Sequence, residues 1–235
     1  MGLAYRIKHE VMSPVRTLDN YLMRTRLDNN EAPFLISQNC VGACLYHALG
    51  MRFDSPFING IINGADLLSF LKRPAYYLDI EASESGQVSA YGSDHCSVVG
   101  IGDIRFYALH DEDPVSAAKA WNRRRTRVNL DRCFVIATSW NCENDLELIN
   151  RITECGFPTV VFSDIDVNND SVVKLNREHF RRDARGIVRP NLTDYSCNGI
   201  RYMNRMFDFC KWINSNGSIP ACECVKRTHL VNETA

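Results

Sequence analysis

Hydrophobic runs about as long as single strands recur along the chain, separated by stretches with helical spacing of apolar positions. The runs lie at residues 33–38, 103–110, 132–138 and 158–163. Helices are predicted between the later runs, at about 113–127 and 143–154. Because apolar strands that alternate with helices form βαβ units, the pattern predicts an α/β fold. We expect these four strands in one mostly parallel sheet with helices on both faces.

Cap and turn residues predict the boundaries of several helices. Asn39 is a predicted N-cap for a helix that ends at Gly50, and a second helix ends at Pro74. Asp113-Pro114 supplies an N-cap and a first-turn proline for the helix before the third run. The Ser- and Gly-rich residues 83–92 are predicted to form a connecting segment.

The N-terminal residues 3–27 indicate one or two basic helical segments, broken near Ser13-Pro14. We expect their apolar positions to pack on the body of the protein, and a peripheral position on a membrane surface is the alternative. Those positions are Leu18, Tyr21 and Leu22.

The C-terminal residues are less regular, with one predicted helix near 199–213. The predicted organisation is therefore a helical segment (1–30), an α/β core (31–175) and an irregular C-terminal tail (176–235) that extends the same domain. One domain is the default for a chain of 235 residues.

Composition and charge narrow the class of protein. The hydrophobic content of 45% suits a globular core. A net charge of −1 with scattered basic residues argues against a nucleic-acid partner. The N-terminus lacks the apolar core of a signal peptide, which predicts a cytoplasmic location. In that reducing compartment the ten cysteines are expected to be thiols.

Short polar segments follow the predicted strands. They are Ser37-Gln38-Asn39, His110-Asp111, Ser139-Trp140-Asn141 and Ser163-Asp164. Parallel strands bring their carboxyl ends to one edge of a sheet, where open α/β folds bind ligands. The sequence therefore predicts a ligand site at this edge.

Cys40 is a candidate nucleophile at that edge. A thiol in the first turn of a helix feels the helix dipole, which can lower its pKa, and His110 is the candidate base. Cys40 also shares a helix face with Cys44 and His47, as metal ligands do. We expect no structural zinc there, because this triad lacks a local fourth ligand.

Two charged patterns each have competing interpretations. Arginines at 123, 124, 125 and 127 form either a solvated basic helix end or a clamp for phosphate or carboxylate groups. Asp164 and Asp166 resemble the metal-holding DxD of one glycosyltransferase class, a weak signal that leaves a divalent metal as an option. The common nucleotide, hydrolase and metalloprotease motifs are absent, so the sequence requires no cofactor.

Residues 39–62 and 120–136 together resemble a bacterial family of unknown function, DUF1919, whose members are usually labelled exopolysaccharide biosynthesis proteins. The residues that match its pattern are Asn39, Cys40, Gly42, Tyr46, Leu49, Gly50, Ser55, Pro56, Phe57, Asp103, His110, Trp121, Arg124, Arg127 and Asn129. Val41 and Ala43 depart from it, where the family often has an aromatic residue and a second glycine. The resemblance covers about residues 33–165, and the tail beyond about Asp166 does not match.

The resemblance implies a role in cell-envelope polysaccharide assembly, without an established reaction. We expect a transferase that uses a sugar nucleotide or a lipid-linked glycan, with His110 as base or phosphate ligand. The predicted substrate-binding residues are Asn39, Arg124, Arg127 and Asn129. One alternative is an acyl or other group transferase with Cys40 as nucleophile. The other is a non-catalytic binding or scaffold subunit of the assembly machinery.

One geometric difficulty accompanies this site. The helix that starts near Asp113 is about 14 residues long, or roughly 20 Å. It should therefore carry Arg124 and Arg127 towards the edge of the sheet opposite His110, unless the long arginine side chains recover that distance.

Overall fold

The computed structural model describes residues 12–28, 32–91, 93–176, 179–182, 188–196 and 198–226. Its helices are α1 (Ser13–Thr25), α2 (Val41–Leu49), α3 (Gly64–Lys72), α4 (Pro74–Asp79), α5 (Pro114–Arg125), α6 (Leu146–Thr153), α7 (Tyr202–Met206) and α8 (Phe209–Asn214). Its strands are β1 (Phe34–Ser37), β2 (Gly60–Ile61), β3 (Ser83–Ala90), β4 (Ser93–Ile101), β5 (Ile104–Ala108), β6 (Cys133–Thr138), β7 (Thr159–Ser163), β8 (Val172–Lys174), β9 (Phe180–Arg182) and β10 (Val188–Pro190). Three short 3₁₀ turns are Leu130–Arg132, Ser139–Cys142 and Ala221–Cys224.

A four-stranded parallel sheet in the order β1-β6-β7-β8 forms the centre of the protein. β1, β6 and β7 are buried along their whole lengths, as expected when both faces of a sheet are covered. Successive side chains along each strand point to opposite faces of the sheet, so the strands contribute to two hydrophobic cores. Ile36 and Val135 pack with α3, α5 and α6, whereas Leu35 and Phe134 pack with α2, α7 and α8. The predicted α/β class, with helices on both faces of a parallel sheet, is confirmed.

A second, antiparallel sheet in the order β2-β5-β4-β3 lies beside the first core. The expectation that residues 103–110 join the parallel sheet was wrong. β4 and β5 form a hairpin in which Ile101 pairs with Ile104 around Gly102, whose φ is 61°. A Gly-Asp turn between two apolar runs is a hairpin signal, and the helix after β5 leads into a different sheet.

The segment 83–92, predicted as a connection, instead contains β3. Its side chains are exposed along almost the whole strand, so it has no apolar alternation to reveal it. The helix predicted near 199–213 is divided into α7 and α8. The Asp208 side chain accepts a hydrogen bond from the Lys211 amide (3.1 Å) and so begins α8 as its N-cap. Around these helices the C-terminal part is irregular, as predicted.

Helix α1 packs on the body through Met23, which is 5% exposed. Its opposite side is open: Leu18, Tyr21 and Leu22 are 57%, 61% and 50% exposed. The expectation that these three side chains pack on the body was therefore wrong. The helical segment predicted within residues 3–11 lies outside the described residues. No helix in the described part of the chain has the length and apolar character needed to cross a membrane.

Candidate functional site

The carboxyl ends of the neighbouring strands β1 and β6 are joined by a network of side-chain amides. Gln38 accepts a hydrogen bond from the Thr138 amide (2.8 Å) and donates to the Asn141 carbonyl (3.2 Å). Asn39 donates from Nδ2 to Thr138 Oγ1 and to Asn141 Oδ1, both at 3.3 Å. Because both strands contribute partners, the network fixes the position from which helix α2 starts.

Cys40 is the N-cap residue of α2, one position later than the predicted cap at Asn39. Asn39 still satisfies the helix start, because its Oδ1 accepts a hydrogen bond from the Val41 amide (3.2 Å). Both amide hydrogens of Asn39 are used within the protein, which leaves one Oδ1 lone pair for a ligand. Asn39 therefore holds Cys40 in place and offers a ligand only an acceptor. At the other end of α2, Gly50 has a φ of 65° and ends the helix as predicted.

His110 reaches Cys40 from the antiparallel sheet. The distance between His110 Nε2 and Cys40 Sγ is 3.6 Å. Asn59 holds the end of β5 in place, since its carbonyl accepts hydrogen bonds from the Leu109 amide (2.9 Å) and the His110 amide (3.3 Å). Asn59 has a φ of 68°, a left-handed conformation that asparagine tolerates. The thiol–imidazole pair thus forms where the two sheets meet.

The Cys40 thiol is neutral at physiological pH. Burial raises its pKa to about 11, with a smaller contribution from Cys44 in the same direction. The sequence suggested the opposite shift, since a helix N-terminus favours the thiolate. Burial outweighs that effect here because it penalises the charged sulfur directly. Activation of Cys40 therefore requires a base that takes its proton, and His110 lies in the position to do so.

A cleft of about 160 Å³ adjoins this pair. Residues from both strand ends and from the C-terminal segment line it: Asn39, Cys40, Val41, Trp140, Pro190, Asn191, Leu192 and Thr193. The C-terminal tail, which the sequence left without a role, therefore forms one wall of the site. Trp140, only partly buried, offers an apolar surface next to the thiol.

The charge of the Arg124 guanidinium interacts with the carboxylate of Asp111, which lies just before helix α5. Burial lowers the pKa of its guanidinium, and the carboxylate of Asp111 opposes that shift. Burial raises the pKa of Asp111, while Arg124 and His110 lower it. Such charge interactions fade within roughly 10 Å, so the charges of Arg124 and Asp111 lie close enough to affect each other. Among the described residues none forms a hydrogen bond or ion pair with the Arg124 guanidinium.

The neighbouring arginines and Asn129 have structural partners. Arg127 forms an ion pair with Asp54 (3.4 Å), and Arg125 donates to the Leu78 carbonyl (2.6 Å). Asn129 is exposed, and its side chain accepts a hydrogen bond from the Asp131 amide (3.0 Å) at the start of a 3₁₀ turn. Of the predicted substrate-binding residues, Arg127 and Asn129 are therefore held by contacts that support the fold.

The two acids of the DxD pattern point to different partners. Asp164 accepts a hydrogen bond from Ser139 (2.6 Å), whereas Asp166 pairs with Lys174 (3.2 Å) and its side chain is 96% exposed.

Cys44 lies one turn after Cys40, and His47 is exposed. Within the described ranges no three His, Cys, Asp or Glu side chains are arranged to hold a metal ion, and the cysteines there are free thiols.

Comparison with known proteins places the chain in a family. The sequence profile of a domain of unknown function, DUF1919, matches residues 12–214. The chain belongs to this family. The match begins beside α1 and ends at the last residue of α8, so it extends well beyond the residues 33–165 that carry the sequence resemblance. An uncharacterized protein of Haemophilus influenzae is 28% identical over 149 residues, which cover 63% of this chain and 69% of that protein.

Most residues that resemble the DUF1919 pattern support the fold around the site. The Phe57 and Trp121 rings pack edge to face, with centroids 5.0 Å apart. The Tyr46 hydroxyl accepts a hydrogen bond from the Leu35 amide (3.0 Å) and donates to the Pro33 carbonyl (2.8 Å), which ties α2 to β1. Cys40 and His110 are pattern residues that face each other beside the cleft, which Cys40 lines.

Sequence reasoning missed several contributors to the site. Asn141 lies in one of the polar segments predicted at the ligand edge, but no role was predicted for it, although it contacts Asn39 in the structure. Gln38 looked like one polar loop residue among many, although its buried amide joins the two strands. Nothing in the sequence indicated that Asn191 and Thr193 would line the cleft, because that contact depends on the path of an irregular segment.

Proposed function

We propose that the protein is a group-transfer enzyme of cell-envelope polysaccharide biosynthesis, acting in the cytoplasm, with Cys40 as nucleophile and His110 as base. The observation that carries the proposal is the 3.6 Å contact between the Cys40 sulfur and the His110 Nε2, beside a cleft at the edge of the sheet. A nucleophile next to its base is the arrangement required for covalent catalysis. The pathway rests on the resemblance to proteins labelled with exopolysaccharide biosynthesis.

The reaction we propose is acyl transfer to a hydroxyl group of a glycan. His110 takes the thiol proton as the Cys40 sulfur attacks the carbonyl carbon of an acyl ester or thioester. A thioester forms on Cys40, and the leaving group departs with the proton from His110. The glycan hydroxyl then attacks this thioester and gives its proton to His110. The C–S bond breaks, the acyl group remains on the glycan as an ester, and His110 returns the proton to the Cys40 sulfur. No oxidant, reductant or metal is needed.

A carboxyl group follows the imidazole directly in the chain. The pKa of Asp111 is raised by burial, and the charges of Arg124 and His110 oppose that shift. Trp140 lines the cleft beside Cys40, and its apolar ring would limit the access of water to the thioester on that side.

The experiment traps the thioester. Purified protein is incubated with p-nitrophenyl acetate, an activated acyl ester, quenched in acid and mapped by mass spectrometry. We expect an acetyl group on Cys40 and a rate at least about 100-fold lower for His110→Gln, the usual contribution of a general base. Cys44→Ser is the matched control, because Cys44 lies one turn along the same helix and its burial also raises its pKa.

The cellular arm compares polysaccharide output in strains that carry Cys40→Ala or Cys44→Ala in place of the normal gene. Output lost only with Cys40→Ala, at unchanged folding stability, supports covalent catalysis. Full output with Cys40→Ala, or equal acetylation of Cys44, refutes it.

Glycosyl transfer from a sugar nucleotide is the second candidate. It is favoured by Arg124, a half-buried guanidinium that lies near Asp111 and has no ion-pair partner among the described residues. Arginine is well suited to a diphosphate. Thermal-shift measurements with sugar nucleotides test it: a rise in the melting temperature that Arg124→Gln removes supports this reaction. A third outcome would favour a scaffold role. In that case Arg124→Gln abolishes polysaccharide output, while the protein shows neither a melting-temperature shift with sugar nucleotides nor an acyl adduct on Cys40.

A further inference from the structure

Helix α1 has an apolar strip on its outward side. At 100° per residue, Val15, Leu18, Tyr21 and Leu22 fall within one arc, together with Pro14 and Thr25. The four large side chains are 38%, 57%, 61% and 50% exposed. None of the six residues in this arc is charged. A surface helix normally turns charged and polar residues outwards, so this helix is reversed with respect to the usual pattern.

The charged residues of α1 are arranged around the strip. On the helical projection Arg24 and Arg26 lie on its two sides near the C-terminal end of α1, and both are exposed. Arg24 Nε also donates a hydrogen bond to the Ala48 carbonyl (3.3 Å) at the end of α2. The acid Asp19 is half-buried and accepts a hydrogen bond from Asn204 (3.1 Å). Arg26 contacts Asp208, yet 46% of its side chain remains exposed. The exposed charge next to the strip is therefore basic.

The basic character extends through the N-terminal sequence. Residues 1–28 contain five Lys and Arg and three Asp and Glu, a net charge of +2. The whole chain carries −1, so the remaining residues together carry −3. Positive charge is thus concentrated in the part of the chain that presents the apolar strip.

We propose that the α1 strip docks on the interface of an anionic phospholipid bilayer. An apolar helix face bordered by arginines matches the two layers of such a surface, because the leucines and Tyr21 enter the acyl boundary while the arginine heads reach the phosphates. This proposal does not depend on the chemistry proposed for Cys40. It would hold the enzyme next to lipid-linked substrates.

A second copy of the chain fits the strip less well. A two-fold contact through α1 would bring equivalent arginines of both copies together around the apolar centre. Stable dimers also bury roughly 800 Å² on each partner, far more than four partly exposed side chains supply.

The test uses the full chain and sedimentation with lipid vesicles. We expect binding to vesicles of phosphatidylcholine and phosphatidylglycerol, weaker binding to phosphatidylcholine alone, and weakening as salt rises from about 50 to 500 mM. The double variant Leu18→Glu/Leu22→Glu should reduce binding by about ten-fold or more. Val115→Glu/Leu146→Glu, which alters exposed apolar residues on α5 and α6, is the matched control and should bind normally.

Circular dichroism and Cys40 acetylation of both double variants establish that the fold and the site are intact. Absence of vesicle binding by the full chain overturns the proposal, as does equal binding by Leu18→Glu/Leu22→Glu. A concentration-dependent dimer that this variant dissociates, without vesicle binding, would show that a second copy occupies the strip. Failure of the acetylation test with vesicle binding retained would refute only the proposed chemistry.

Discussion

The raised pKa of Cys40 leads to a quantitative prediction of how this thiol reacts with iodoacetamide. A pKa of about 11 leaves roughly 1 thiol in 3,000 ionised at pH 7.5, against roughly 1 in 11 for an unperturbed cysteine of pKa 8.5. The ionised fraction is therefore lower by about 300-fold. A more basic thiolate is also more nucleophilic, which recovers about ten-fold. We expect Cys40 to be alkylated about 20- to 30-fold more slowly than a reference peptide thiol at this pH.

The assay follows alkylation of Cys40 by mass spectrometry from pH 7 to pH 10. The logarithm of the rate should rise with unit slope across the whole interval, because the thiol never approaches full ionisation. His110→Gln should keep this unit slope, because iodoacetamide reports the free thiolate and burial is the main cause of its low population, whereas the base acts only when an acyl group is attacked in the site. A plateau below pH 9 would refute the reasoning, because it would mean that the helix N-terminus, and not burial, determines the ionisation of Cys40.

Three further changes test the surrounding structure by chemical denaturation. Gly42→Ala places a Cβ 2.5 Å from the Ser37 Cβ and should cost about 1–3 kcal/mol of unfolding free energy. Arg127→Ala breaks a partly exposed ion pair with Asp54 and should cost no more than about 1 kcal/mol. Burial opposes ionisation of Asp208, but hydrogen bonds from Arg26 and the Lys211 amide outweigh it and lower the pKa. The ionised Asp208 therefore contributes its full stabilisation above the unfolded pKa of about 4, and this stabilisation is lost as pH falls through the folded pKa. In Asp208→Asn the unfolding free energy should depend less on pH in this range.

The parallel strands could be predicted because their burial on both faces leaves continuous apolar runs. The bounds of β6 and β7 differ from the predicted runs by one residue at the start of each strand. The antiparallel sheet could not be placed in the same way. An apolar run such as β5 has the same appearance in either kind of sheet, and only the Gly102 turn separates the two outcomes.

The contact between Cys40 and His110 was suggested partly for the wrong reason. The strand-end argument placed both residues at one edge of a single sheet, whereas His110 arrives from the neighbouring sheet and is held by Asn59.

The exposed strip on α1 could not have been predicted from periodicity. Periodicity shows that one side of a helix is apolar, but not whether that side faces the protein or the solvent.

The pairing of a thiol from one sheet with an imidazole from another makes reactivity a property of the finished fold. The two residues are separated by 70 positions, and the intervening chain includes all of the antiparallel sheet. A partly unfolded chain that keeps only the parallel sheet carries the thiol without its base. Under the proposed chemistry such species are inactive, because the Cys40 thiol has no base beside it until both sheets have docked. Loss of the proposed acyl transfer should consequently precede loss of helical signal when the protein is gradually destabilised.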